Sequence, residues 1–213
     1  FSPAHALANP YPAGGPVLLF TGAMDYWPNI DAVSWFATEI LPAIRAPRPD
    51  VRFWIVGMNP SPAVQALAGA GVVVTGTVAD VRPYLAHADV VVAPLRIARG
   101  IQNKVLEAMA MARPVVLSAA PAVGLAASSG TECEIAADGA AFAQAVSALL
   151  EHPERGGPMG VAARDCVLRA YSWPAHLALL DRLLGVAQSV QAHDSVPAAE
   201  AECAALRPAG QGS

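Results

Sequence analysis

Charge is scarce in this sequence: only 14% of its 213 residues are Asp, Glu, Lys or Arg, and the net charge is −4. No long basic run is present, which argues against the counterion-releasing footprint of a nucleic-acid-binding protein. Cysteine is scarce too. Cys133, Cys166 and Cys203 are widely spaced and odd in number, so neither a disulfide framework nor a zinc-type spacing exists, and a reducing compartment is the simpler reading. No apolar run approaches the roughly 18 residues that span a bilayer. His5, His87, His152, His176 and His193 stand singly, without H-x-x-x-H or H-E-x-x-H spacing, so no metal site is expected. The dinucleotide fingerprint G-x-G-x-x-G, the phosphate loop G-x-x-x-x-G-K-[ST] and the nucleophile elbow G-x-S-x-G are all missing, which counts against dehydrogenases, NTPases and serine hydrolases.

What is abundant is apolar: 54% of residues are hydrophobic, enough to bury a sizeable core in one domain. Short Val/Ile/Leu runs at Val17–Gly22, Val51–Gly57, Val72–Gly76, Asp89–Ala93 and Pro114–Ser118, with a weaker one at Glu134–Ala136, alternate with helical stretches at Ile30–Ile44, Pro62–Ala70, Val81–Ala88, Lys104–Ala112 and Ala140–Leu150. The strands lack polar alternation, which predicts a parallel sheet covered on both faces. The fold class is therefore α/β, a doubly wound, Rossmann-like parallel sheet. Helices at Gly160–Ala170 and Trp173–Leu184 are expected to pack on its flank or cross toward a neighbouring domain. Residues 1–16 (FSPAHALANPYPAGGP) lack Met and a signal peptide's apolar core and resemble an interdomain linker, so the chain is expected to be a piece of a longer protein. The domain then spans 17–185, and 186–213 is expected to be a disordered tail.

In such sheets ligands bind beyond the carboxyl ends of the strands, where the strand order reverses. With the common order 3-2-1-4-5-6, the reversal brings together the loops Gly22–Asn29 and Pro94–Gln102. The second loop carries Arg96, Arg99 and Gly100 and runs into a helix bearing Lys104 and Glu107. Cations beside the free N–H groups of a helix start make an anion site. Gly22 is either a close-approach glycine under a diphosphate or a plain strand-to-helix turn. Asp25 and Asn29 are helix caps or ligands, and Tyr26 and Trp27 are packing residues or sugar platforms. Lys104 and Glu107, three apart, share a helix face. They serve either as a phosphate cation and an acceptor for two ribose hydroxyls, or as a surface ion pair worth roughly 0.2–0.5 kcal/mol.

The stretches Ile55–Gly57, Val72–Val78, Ala88–Arg96 and Gly100–Val116 (GIQNKVLEAMAMARPVV) resemble the C-terminal, donor-binding half of GT-B glycosyltransferases of the group-1, GT4-like class. FTGAMDYWPNIDAVSWF with PLRIARGIQNKVLEAMAM looks most like the sugar transferases associated with exosortase and exopolysaccharide loci. Glu107 matches the second glutamate of the family's E-x7-E motif and implies a ribose-binding carboxylate; Arg99 stands where the first would be. The resemblance then assigns the donor sugar or diphosphate to backbone N–H groups around Gly100, Ile101, Gln102 and Asn103, phosphate neutralisation to Arg96 and Lys104, the diphosphate floor to Gly22, Asp25 and Asn29, and the base-contacting loop to Val78.

The implied reaction moves a hexose from a nucleotide diphosphate sugar, usually with retention, without a cofactor or an obligatory metal. The acceptor, a glycan or lipid-linked group, is held by an N-terminal domain absent from this sequence, so this chain alone binds nucleotide without turnover. The implied location is cytoplasmic, compatible with peripheral membrane association of the full-length protein. A GT-B-fold nucleotide-sugar 2-epimerase and a non-catalytic nucleotide-binding or interaction module remain the alternatives.

Overall fold

The computed structural model describes residues 1–69, 71–174 and 177. Six parallel strands, β1 (Val17–Thr21), β2 (Arg52–Val56), β3 (Val72–Gly76), β4 (Val90–Ala93), β5 (Val115–Ser118) and β6 (Glu134–Ala136), form one sheet in the order β3-β2-β1-β4-β5-β6. This is the doubly wound order expected, and it reverses between β1 and β4. Every residue of β1, β4 and β5 is buried, as a strand covered by helices on both faces requires. The core is accordingly in two layers. On one face Leu18, Phe20, Phe53 and Ile55 pack with Phe36 and Phe142; on the other Val17, Leu19 and Trp54 pack with Val105, Met109, Cys133 and Cys166. Met109 and Met111 are core residues.

The helices are α1 (Trp27–Trp35), α2 (Leu41–Arg45), α3 (Pro62–Gln65), α4 (Arg82–His87), α5 (Asn103–Ala110), α6 (Ala119–Ala122), α7 (Gly139–Glu151) and α8 (Pro153–Ala170). Three depart from the sequence expectation. The single helix expected over Ile30–Ile44 begins at Trp27 and contains a π-helical stretch, Phe36–Ile40, in which the Leu41 N–H reaches back to Phe36 O. Pro42, which has no N–H to donate, follows directly, and the widened turn carries the chain past it. The helix expected over Pro62–Ala70 ends at Gln65; Ser61 Oγ caps its start, and Gly69 at φ 121° turns the chain into β3. The helix α8 starts at Pro153, not Gly160, and runs through Gly156, Gly157 and Pro158. Gly160 serves packing: a Cβ there would lie 2.1 Å from Ala112 O.

Residues of the 1–16 segment lie along β2 and α4. Tyr11 is buried, donates to Tyr84 O at 2.7 Å and meets Trp54 edge-on at 5.0 Å. Arg52 donates to Pro12 O at 2.9 Å and Gly15 O at 3.0 Å. Asp89, at the start of β4, accepts from the Val17 N–H at 2.7 Å and so ties β4 to β1. Most of the helix expected over Trp173–Leu184, and the tail expected at 186–213, lie outside the described residues. Among the described residues no helix is long and apolar enough to cross a membrane.

Candidate functional site

At the carboxyl ends of β1, β2 and β3, facing the start of α5, lies a cavity of about 580 Å³. The loops that frame it are laced together: Gly22 N–H donates to Val56 O at 3.1 Å, Met24 N–H to Met58 O at 2.8 Å and Gly57 N–H to Gly76 O at 3.3 Å. Gly22 and Gly57 allow this contact. Gly22 adopts φ 154°, and a Cβ there would lie 2.8 Å from Asn29 Nδ2 and 3.0 Å from Lys104 Nζ. Glycine is required here because Asn29 and the tip of Lys104 occupy the place a side chain would take.

Lys104 points inward rather than along the surface. Its ammonium donates to Asn29 Oδ1 and sits 4.3 Å from the centroid of the Phe20 ring, so the expected alternative of an ion pair with Glu107 is not what forms. Burial pushes its pKa down to about 8, against the smaller upward pull of Glu107. Asn29, 5% exposed, spends Nδ2 on Ala23 O at 2.8 Å. It is therefore not a helix cap, the cap position belonging to Tyr26; it orients the lysine. Glu107 lines the same cavity half-buried, and burial raises its pKa above the ordinary carboxylate range, Lys104 opposing. The N–H groups of Asn103 and Lys104, in the first turn of α5, have no intrahelical acceptor, and both residues line the cavity.

Of the residues expected from sequence, Gly22, Tyr26, Asn29, Val78, Ile101, Gln102, Asn103, Lys104 and Glu107 line this cavity. Asp25, Arg96 and Gly100 do not. Asp25 accepts from Asn59 Nδ2 at 3.0 Å. Arg96 is paired through Nε and Nη2 with Asp31 and lies 5.4 Å over the Trp35 ring; the partner is 65 residues away, which local spacing does not show. Gly100, at φ 65°, forms the turn, and its carbonyl accepts from Gln102 Nε2 at 3.2 Å. Sequence reasoning missed Thr21, Gly57 and Met58 in the lining. Gly57 had a signal, since it ends its strand as Gly22 ends the first. Thr21 had none: it is 4% exposed, and its hydroxyl is buried without a hydrogen-bond partner. Among the described residues no group of three His, Cys, Asp or Glu is arranged to hold a metal ion.

A family model described as "Glycosyl transferases group 1" matches residues 15–152. No curated protein matches the chain. Among solved structures, sucrose-phosphate synthase from Thermosynechococcus elongatus is 23% identical with a TM-score of 0.62, covering 81% of this chain and 46% of its own. Anabaena Alr3699/HepE, in complex with UDP and glucose, is 17% identical with a TM-score of 0.63, covering 79% and 48%. The C-terminal domain of a group 1 glycosyl transferase family protein (LpcC) from Francisella tularensis is 15% identical with a TM-score of 0.59, covering 74% and 86%. The chain spans less than half the length of the first two.

Proposed function

The chain belongs to the group 1 glycosyltransferases and shares the Rossmann-like α/β fold of their GT-B members, and from that premise we propose that its cavity binds the nucleoside diphosphate of a sugar donor. The observation that carries this reading is the inward Lys104, its ammonium against Gly22 and the start of α5, three residues before a half-buried Glu107. A cation, free helix-start N–H groups and a glycine turn converge where a diphosphate needs them. The carboxylate supplies acceptors for a ribose diol, and the Val78 loop lies where a base would stack. Charge that develops on the departing diphosphate is stabilised by the same groups.

On this reading the chain is the C-terminal, donor-binding half of a retaining hexosyltransferase. Its acceptor, a glycan or lipid-linked group, is held by an N-terminal domain outside this sequence, and exopolysaccharide synthesis is the setting to which the sequence resemblance points. Solved HepE, which carries UDP and glucose, supports a nucleotide-sugar ligand. Titration calorimetry of the folded chain with UDP, GDP and their sugars tests it: binding in the micromolar to low millimolar range is expected, and no heat at millimolar nucleotide would reject it.

We assign the orphaned Thr21 hydroxyl a hydrogen bond to the diphosphate. Because the hydroxyl has no protein partner to lose, Thr21→Val is expected to leave thermal stability unchanged or higher while lowering nucleotide affinity about fivefold. Unchanged affinity would remove Thr21 from the site.

Glu107→Gln separates function from folding by sign. A carboxyl whose folded-state pKa is raised contributes stability at low pH that is lost as pH rises through the raised value, so at neutral pH its ionised form is a cost. The glutamine variant is expected to melt higher at pH 7 yet bind nucleotide about tenfold more weakly, having lost one acceptor and the charge. Wild-type affinity should rise as pH increases through that raised value. Glu39→Ala, on the exposed face of the π-helical stretch, is expected to leave affinity unchanged.

A further inference from the structure

We infer that a second cavity, next to the nucleotide site, receives the glycosyl ring of the donor, and that this ring carries a carboxylate held by Arg99. The inference rests on the nucleotide-binding reading above and adds the class of sugar. The second cavity measures about 440 Å³ and is lined by Tyr26, Trp27, Pro28, Ile97 and Arg99. Tyr26 also lines the larger cavity, so the two are neighbours across one side chain, and the second lies within reach of a glycosyl group attached to a diphosphate in the first.

Its walls suit a sugar. Tyr26 and Trp27 are 57% and 58% exposed, whereas aromatic rings of this size are mostly covered in folded proteins. An apolar C–H face of a pyranose covers such a ring while its hydroxyls stay in water, so an amphipathic ligand fits where an alkyl one would not.

The charge in the cavity selects among sugars. Of the two arginines in the loop before α5, Arg96 is committed to Asp31, whereas the Arg99 guanidinium forms no ion pair among the described residues. Its backbone is tied to the nucleotide site: Gln102, which lines the first cavity, donates through Nε2 to Arg99 O at 3.3 Å. A guanidinium fork pairs with a planar carboxylate through two parallel hydrogen bonds. In open solvent that pair is worth little. Attached to a diphosphate already bound next door, the carboxylate is presented at high local concentration, and the pair registers as specificity.

Titration calorimetry of the full chain with UDP-glucose against UDP-glucuronate, and GDP-mannose against GDP-mannuronate, tests the inference, with UDP and GDP alone as the parent arm. The acidic sugar is expected to bind about five- to tenfold more tightly than its neutral counterpart in the pair whose base is accepted. Arg99→Gln is expected to bring the acidic sugar to the affinity of the neutral one, and Trp27→Ala to weaken both sugars. Equal affinities in the wild type, or a preference that survives Arg99→Gln, overturn the inference while leaving nucleotide binding in place. Failure of UDP and GDP themselves to bind the folded chain overturns the parent reading and this one with it.

Discussion

Lys104→Met is expected to cost about 100-fold in affinity for UDP and GDP, measured by titration calorimetry. The ammonium is the cation placed against Gly22, and nothing else on α5 replaces it. Two stability effects oppose each other in this variant. Burial has lowered the lysine's pKa from 10.5 to about 8, so the unfolded chain binds the extra proton between those values, and stability rises with pH across that window. At pH 7 the charge therefore costs folding energy, and methionine removes the cost. Asn29 Oδ1 in turn loses its donor while 5% exposed, a penalty of about 1–3 kcal/mol. The net change is expected to stay within about 1 kcal/mol, so lost binding will not be lost folding. Arg96→Ala, which removes a guanidinium paired with Asp31 outside the cavity lining, is expected to change affinity less than twofold. If the two variants lose affinity equally, Lys104 is not the diphosphate cation.

Gly57→Ala carries the largest expected cost in stability. Its Cβ would stand 1.6 Å from Gly22 O and 2.8 Å from Gly22 C, both backbone atoms with no rotamer to adjust. Relief requires the ends of β1 and β2 to part where Gly22 N–H donates to Val56 O at 3.1 Å. We expect about 3 kcal/mol or more of destabilisation in urea unfolding, with weakened nucleotide affinity because Gly22 moves. Gly157→Ala is the matched control. A Cβ there meets nothing within 4 Å and the residue lies inside α8, so helix propensity should make this variant more stable by about 0.5–1 kcal/mol. Equal effects at both positions would contradict the close approach of the two loops.

Much of this was legible in the chain. Unbroken apolar runs such as Val90–Ala93 report burial on both faces, and burial on both faces implies the parallel order observed. That order alone brings Gly22 to Lys104, 82 positions later in sequence, because the reversal between β1 and β4 is topological. What local spacing does not carry are partners chosen in three dimensions. Asn29 reads as a cap by its place before a helical run, yet the helix begins two residues earlier and its amide holds Lys104. Arg96 reads as a phosphate cation until Asp31 is folded onto it. The helix expected from Gly160 starts instead at Pro153, and α8 packs closely enough on the turn after α5 that Gly160 must be small, so packing overrides the poor helix propensity of Gly156 and Gly157. The unpaired hydroxyl of Thr21 is visible only once the strands around it are in place.

The most direct measurement is a crystal structure of the chain grown with saturating UDP or GDP, whichever calorimetry shows to bind. The diphosphate is predicted in the cavity beside Gly22, its oxygens accepting from Lys104 Nζ, with the ribose diol on Glu107 and the base against the Val78 loop. Nucleotide density anywhere else on the molecule, with Lys104 still bonded to Asn29 and the cavity between Gly22 and α5 unfilled, would contradict the account.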